Sequence, residues 1–224
     1  MITEIQKTSP VKVKTTIAAP TIFGLLVALL SPTLLVLLSG YVQLGFIGGE
    51  LYFWGIALAI VMVVLLWERK PLASIGFKRF SIKDAAWAKA MTFVIFLSFP
   101  AIYGLLNLFN IPVATDMAKA LGSLPVPVLF LLALRAGVTE EIIYRGFLVE
   151  RLLPITNSRV VAGFVPLLVF IISHLNWGMA HLVFVTIAGA LLTLLYLWKR
   201  NLWLNIFCHF AVDLMLFLVL PYWL

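Results

Sequence analysis

Seven runs of mostly apolar residues follow one another along the chain, at 17–38, 51–67, 90–109, 125–149, 160–176, 179–198 and 202–222. A helix of about 20 such residues spans the hydrocarbon core of a bilayer. Inside that layer backbone groups find no water, so each run must satisfy its own hydrogen bonds as a helix. Composition agrees: 63% of residues are hydrophobic, 11% are charged and the mean hydropathy is +1.12. Soluble domains run near 45–50% apolar and about 25% charged. An ordinary soluble globule, a disordered chain and a disulfide scaffold are therefore excluded. The single cysteine, Cys208, can form no internal disulfide and no thiolate zinc site. The expected fold is an all-α, polytopic transmembrane bundle of about seven spans, with eight as the other count. Pro20, Pro32 and Pro100 fall inside these runs, where neighbouring helices can satisfy the freed carbonyls.

Charge placement gives a topology. The chain carries a formal net charge of +7. Thirteen of its 16 Lys and Arg fall before span one or in the loops after spans two, four and six, including Arg151, Arg159, Lys199 and Arg200. Only Lys119 lies in an opposite loop, while Arg135 and Arg145 sit within span four. The positive-inside rule then places the N-terminus in the cytoplasm of a multi-pass protein, with a plasma membrane as the expected location. The basic balance is a topology signal, and no basic stripe interleaved with aromatics points to nucleic acid. Residues 1–16 read as a cytoplasmic tail and 17–124 as an apolar frame of three spans. Residues 125–224 read as a four-span core. No short apolar region with a cleavage site opens the chain, so the first run reads as a retained helix. The connector 68–89 mixes Ile75, Phe77, Phe80 and Trp87 with lysines, which fits either a short interfacial helix or a solvated link.

Ionisable residues are absent from the first three runs and gather in the last four: Arg135, Glu140, Glu141, Arg145, His174, His181, His209 and Asp213. Charges at bilayer depth cost roughly 2.5–3.5 kcal/mol on insertion scales and mark function by default. Glu141 and Arg145 share a helix face at i, i+4 and form an expected neutral pair. Glu140 has no neutralising neighbour in the sequence, and an unpaired carboxylate in a cavity suits a general base. The bland alternative is one inert ionic network of Arg135, Glu140, Glu141 and Arg145 that braces helices. His174 ends span five, and His181 reads as a structural histidine after an Asn176-Trp177-Gly178 turn. In span seven, His209 and Asp213 share a face at i, i+4, so the carboxylate can orient the ring or both can hold a metal. Ser173 adjoins His174 and is not expected to face it on a helix. No zincin motif and no nucleophile elbow occur.

Three motifs in order, Glu140-Glu141-Ile-Ile-Tyr-Arg145, Phe170-Ile-Ile-Ser-His174 and His209-Phe-Ala-Val-Asp213, each on its own span, resemble one family. It comprises the CAAX prenyl endopeptidases and bacteriocin-processing membrane proteins known as CPBP or Abi. The resemblance covers about residues 130–215. It implies an intramembrane endopeptidase in which Glu140 and His174 activate water, His209 and residue 213 stabilise the oxyanion, and Arg145 holds Glu141. It implies a membrane-associated substrate, either a prenylated protein cut near its C-terminus or a leader-bearing protein. CAAX-cleaving members carry Asn where Asp213 stands here. The resemblance is read as metal-free; the alternative is zinc on Glu140, His174, His209 and Asp213. Two other functions are compatible with the residues: a non-catalytic bacteriocin-immunity or scaffold protein of the same fold, and a small proton-coupled transporter.

Overall fold

The computed structural model describes residues 17–38, 41, 44–111 and 115–222. The basic tail 1–16, with Lys7, Lys12 and Lys14, lies outside the described residues. Among them the chain is helical throughout, with no strand. The helices are α1 (Ala19–Leu37), α2 (Gly45–Trp67), α3 (Ile82–Leu108), α4 (Thr115–Gly122), α5 (126–156), α6 (Arg159–Ile172), α7 (Met179–Lys199) and α8 (Leu202–Val219).

Five of these, α1, α2, α3, α7 and α8 (counted to Tyr222), are long and apolar enough to cross a membrane. The other two expected spans take different forms. The run 125–149 belongs to one continuous helix that changes pitch: α from Val126 to Arg135, π from Ala136 to Val149, α again from Glu150 to Thr156. The run 160–176 is helical only as the 14-residue α6, and its end unwinds through Ser173 and His174 into a 3-10 turn at Leu175–Trp177. Gly178, at φ 87°, then reverses the chain into α7.

Local chemistry sets the boundaries. Ser81 and Asp84 form a reciprocal capping box that starts α3 eight residues before the expected 90, taking Lys83, Asp84 and Lys89 into the helix. α2 likewise begins at Gly45 and includes Glu50. α2 and α3 therefore carry charged residues that their apolar runs lack, because these helices extend past the run into the interface, whereas α1 carries none. Asn157 closes α5 in the left-handed conformation and the Ser158 hydroxyl caps α6. The 68–89 connector holds only a 3-10 turn, Leu72–Ile75, before α3. Ile75 is fully buried, and the Gly76 carbonyl accepts from the Leu202 N–H at 2.7 Å, so the connector is a docked strap.

α5 is the axis of the bundle. α1 and α2 pack on one side of its π segment, α6 on another and α8 on a third. α3 seals the outside of α7 and α8. Gly137 allows the α8 contact, since a Cβ there would stand 2.9 Å from the Phe210 backbone nitrogen and 3.1 Å from the Ile206 carbonyl oxygen. Outward-facing residues such as Leu26, Leu58 and Leu97 are more than half exposed, as lipid-facing side chains are.

Candidate active site

Charge runs down α5 in pairs. Arg135, at its upper turn, donates from Nε to both oxygens of Glu50 on α2 (3.2 and 3.1 Å) and from Nη1 to Glu140 Oε1 at 2.9 Å. Ten residues after Arg135, Arg145 Nη1 donates to Glu141 Oε1 at 2.6 Å. Near the far end Arg151 forks onto Glu68, and Glu150 accepts from Tyr196 and Arg200. Arg151, expected in an aqueous loop, is buried by this pair, with the Ser74 carbonyl taking another of its hydrogens.

The pitch of α5 explains the first of these pairs. In an α-helix a five-residue step lands about 140° around the axis, so Arg135 and Glu140 would diverge. The i→i+5 bonding of a π segment brings such residues to neighbouring positions, and long π segments are rare outside functional sites. Glu140 is therefore not the unpaired carboxylate the sequence indicates. It shares Arg135 with Glu50.

Glu141 is the buried centre. It is fully buried, and Arg145 is 1% exposed. Besides Arg145, Glu141 Oε1 takes His209 Nδ1 at 2.8 Å, and its Oε2 accepts from Asn205 Nδ2 at 3.1 Å. Arg145 also donates from Nη2 to the Gly189 carbonyl (3.0 Å) and from Nε to the Thr193 hydroxyl, and its guanidinium lies over Phe170 at 4.6 Å. The close approach of Phe170 depends on Gly189, where a Cβ would meet the ring at 2.8 Å. A carboxylate only accepts, so His209 Nδ1 carries a hydrogen and Nε2 is the atom presented elsewhere. That atom faces Asp213 Oδ2 at 3.6 Å and Glu140 Oε2 at 4.0 Å. His209 is thus oriented by Glu141, while Asp213 stands on the other side of the ring from the orienting position expected for it.

His174 lies just past the end of α6. Its Nδ1 bonds the Phe170 carbonyl at 2.8 Å, which leaves Nε2 as the free acceptor of the neutral ring. Because the helix ends here, Ser173 Oγ does approach His174 Nδ1, at 3.2 Å, contrary to the helical expectation. The same hydroxyl donates to the Phe170 carbonyl at 2.7 Å and accepts from Tyr144 at 3.2 Å, so it holds the helix end together.

A cavity of about 280 Å³ opens between these elements, and Glu140, His174, His209 and Asp213 all line it. Arg135 and His181 line it too. His181 stacks on Trp177 at 5.0 Å and stands 5.8 Å from His174, so it belongs to the cavity wall and not only to the turn. Glu141 and Arg145 lie behind the wall. Asn205 and Glu50 were missed by sequence reasoning: Asn205 is one turn before His209 and would have been found by asking what else shares that face. Among the described residues, no group of three or more His, Cys, Asp or Glu side chains is placed to hold a metal ion. One oxygen of Glu140 is already committed to Arg135.

Residues 122–215 match the family model described as type II CAAX prenyl endopeptidase Rce1-like. The chain carries an Rce1-like, CPBP-family segment. Comparison with curated proteins and with solved structures gave no match. The Rce1-like segment begins just before α5 and ends within α8, so it contains all three motifs, while Glu50, the second partner of Arg135, lies outside it. Together with the apolar helices it marks a multi-pass membrane protein.

Proposed function

We propose that this protein is an intramembrane endopeptidase that hydrolyses a peptide bond of a membrane-associated substrate near its C-terminus or its leader. The observation that carries the reading is the convergence of Glu140, His174, His209 and Asp213 on one cavity inside a bundle of apolar helices. A water in that cavity gives one proton to the Glu140 carboxylate, with the free Nε2 of His174 accepting the second hydrogen bond. The hydroxide oxygen attacks the scissile carbonyl, and Glu140 returns the proton to the leaving amine. His209 stabilises the oxyanion by donating from Nε2, for which both ring nitrogens must carry hydrogen. Three carboxyl groups, at 2.8, 3.6 and 4.0 Å, are placed to neutralise that imidazolium. Arg145 fixes Glu141, and Glu141 fixes the ring.

Seven crossings and a cytoplasmic N-terminus, supported by the placement of Lys and Arg, complete the proposal, with a plasma membrane as the location that the short loops and retained first helix suit. In it α5 and α6 enter the bilayer as the walls of the cavity, and their shorter apolar lengths are covered by α1, α2, α7 and α8.

The test is incubation of the purified protein in detergent with a prenylated C-terminal peptide, products being identified by mass. Wild type should release the C-terminal fragment and Glu140→Gln should not. Equal behaviour of the two sinks the proteolytic reading. Chelators at constant pH should leave turnover unchanged. Stoichiometric zinc lost together with activity in Asp213→Asn would replace the metal-free mechanism with zinc on Glu140, His174, His209 and Asp213.

A further inference from the structure

We propose that Glu50 and Arg135 form a positioning relay for Glu140, so that a helix outside the Rce1-like segment completes the site. The proposal rests on Glu140 being the general base of the reading above.

Arg135 is a cation that lines the cavity, and its donors are divided. Nε is turned to both oxygens of Glu50, while Nη1 makes a single bond to Glu140 Oε1. The Phe53 ring, on the helix that carries Glu50, lies under the guanidinium at 4.9 Å and limits its rotation. The three side chains are 13% (Arg135), 25% (Glu50) and 8% (Glu140) exposed, so the Arg135–Glu140 end of the relay is the more shielded from water.

Two consequences follow from the division. The first is geometric. With Oε1 anchored, Glu140 presents Oε2 to the cavity, on the side of His209 Nε2. The second is electrostatic. One guanidinium shared by two carboxylates leaves a net negative charge, so Glu140 keeps the capacity to accept a proton. If Glu50 were neutral, Arg135 would be free to fork onto Glu140 alone, occupying both oxygens in the bidentate geometry that arginine favours. Glu50 does not line the cavity, so it acts only through Arg135. Both are positioning residues.

Two measurements decide this. In the peptide assay, Glu50→Gln should lower kcat about 10-fold or more with KM unchanged, since a small misplacement of a catalytic group costs up to about 100-fold. Arg135→Gln should do the same, and the double variant should be no worse than the poorer single variant. Glu50→Asp, which keeps the charge, should recover part of the loss. A bracing role alone would lower melting temperature and leave kcat of the folded fraction intact. The second measurement needs no substrate: labelling of Glu140 by a hydrophobic carbodiimide, located by peptide mapping. Labelling should fall in Glu50→Gln, where Arg135 covers both oxygens, and rise in Arg135→Gln. Identical labelling in wild type and both variants overturns the relay, as does a Glu50→Gln kcat equal to wild type beside an inactive Glu140→Gln. If no variant, wild type included, cleaves peptide, the proteolytic reading fails while the labelling still decides the relay.

Discussion

The first three helices and the last two meet different solvents. In α1, α2 and α3 only 22%, 28% and 28% of the apolar window is buried inside the protein, against 50% and 44% in α7 and α8. The outer helices offer most of their surface to lipid, where one apolar residue serves as well as another. A small number of polar groups ties α1 and α2 to their neighbours: Thr21 and Arg151 both donate to Glu68, just past the end of α2, Tyr52 donates to the Ser31 carbonyl and Arg135 donates to Glu50. The inner helices are held by packing and by one buried network around Glu141. A bilayer gives helices no hydrophobic reason to associate, so close packing and interhelical hydrogen bonds must do it. In the frame those bonds are few and scattered; in the core they gather at mid-helix and double as the site.

The contrast is broken most severely through Glu141. Glu141→Ala leaves Arg145 buried without its partner, which costs about 3–5 kcal/mol, and it frees the His209 ring. Melting in detergent should fall sharply and turnover should vanish, whereas Leu58→Ala and Leu97→Ala on the lipid side should change neither. Glu140→Gln comes next, with turnover reduced about 10²–10⁴-fold and melting little changed, because Arg135 keeps Glu50. If Glu140→Gln is the unstable variant and Glu141→Ala the stable one, the two glutamates have exchanged roles.

Glu68 sharpens the comparison from the frame side. Burial alone would raise its pKa, but the bonds from Arg151 and Thr21 outweigh that and hold it below the usual 4.5. A carboxylate depressed on folding contributes stability that is complete above 4.5 and is lost as pH falls through its folded-state value. Glu68→Gln should therefore destabilise by about 2 kcal/mol at neutral pH, and melting curves of variant and wild type should converge in acid. A gap that persists at low pH would assign the effect to packing. A smaller effect is expected at Gly137→Ala, where the new methyl meets backbone of α8: about 1–2 kcal/mol, read as a lower melting temperature with the His209 position disturbed. The smallest belongs to Asp213→Asn, whose amide can still face His209 Nε2. Turnover should stay within about 10-fold of wild type, and a complete loss would make the charge of Asp213 essential.

The amino-acid sequence determined the membrane class, the approximate positions of the apolar helices and the three motifs, because hydrocarbon length and the cost of buried charge leave few readings of an apolar run with a glutamate pair in it. The i, i+4 spacing sufficed for the Glu141–Arg145 pair, a local contact within one helix. Spacing failed for the i, i+5 pair at the start of the π segment Ala136–Val149, whose pitch brings Glu140 to Arg135, and no residue pattern of period 3.6 announces it. It failed again where partners lie far apart in the chain. Glu50 is 85 residues from Arg135, Glu68 is 83 from Arg151, and Glu141 is 68 from His209. Which carboxylate orients His209 was decided by the depth at which α8 docks against Gly137. Interhelical register of that kind depends on side-chain volumes on both surfaces at once, and it exists only when the bundle is assembled.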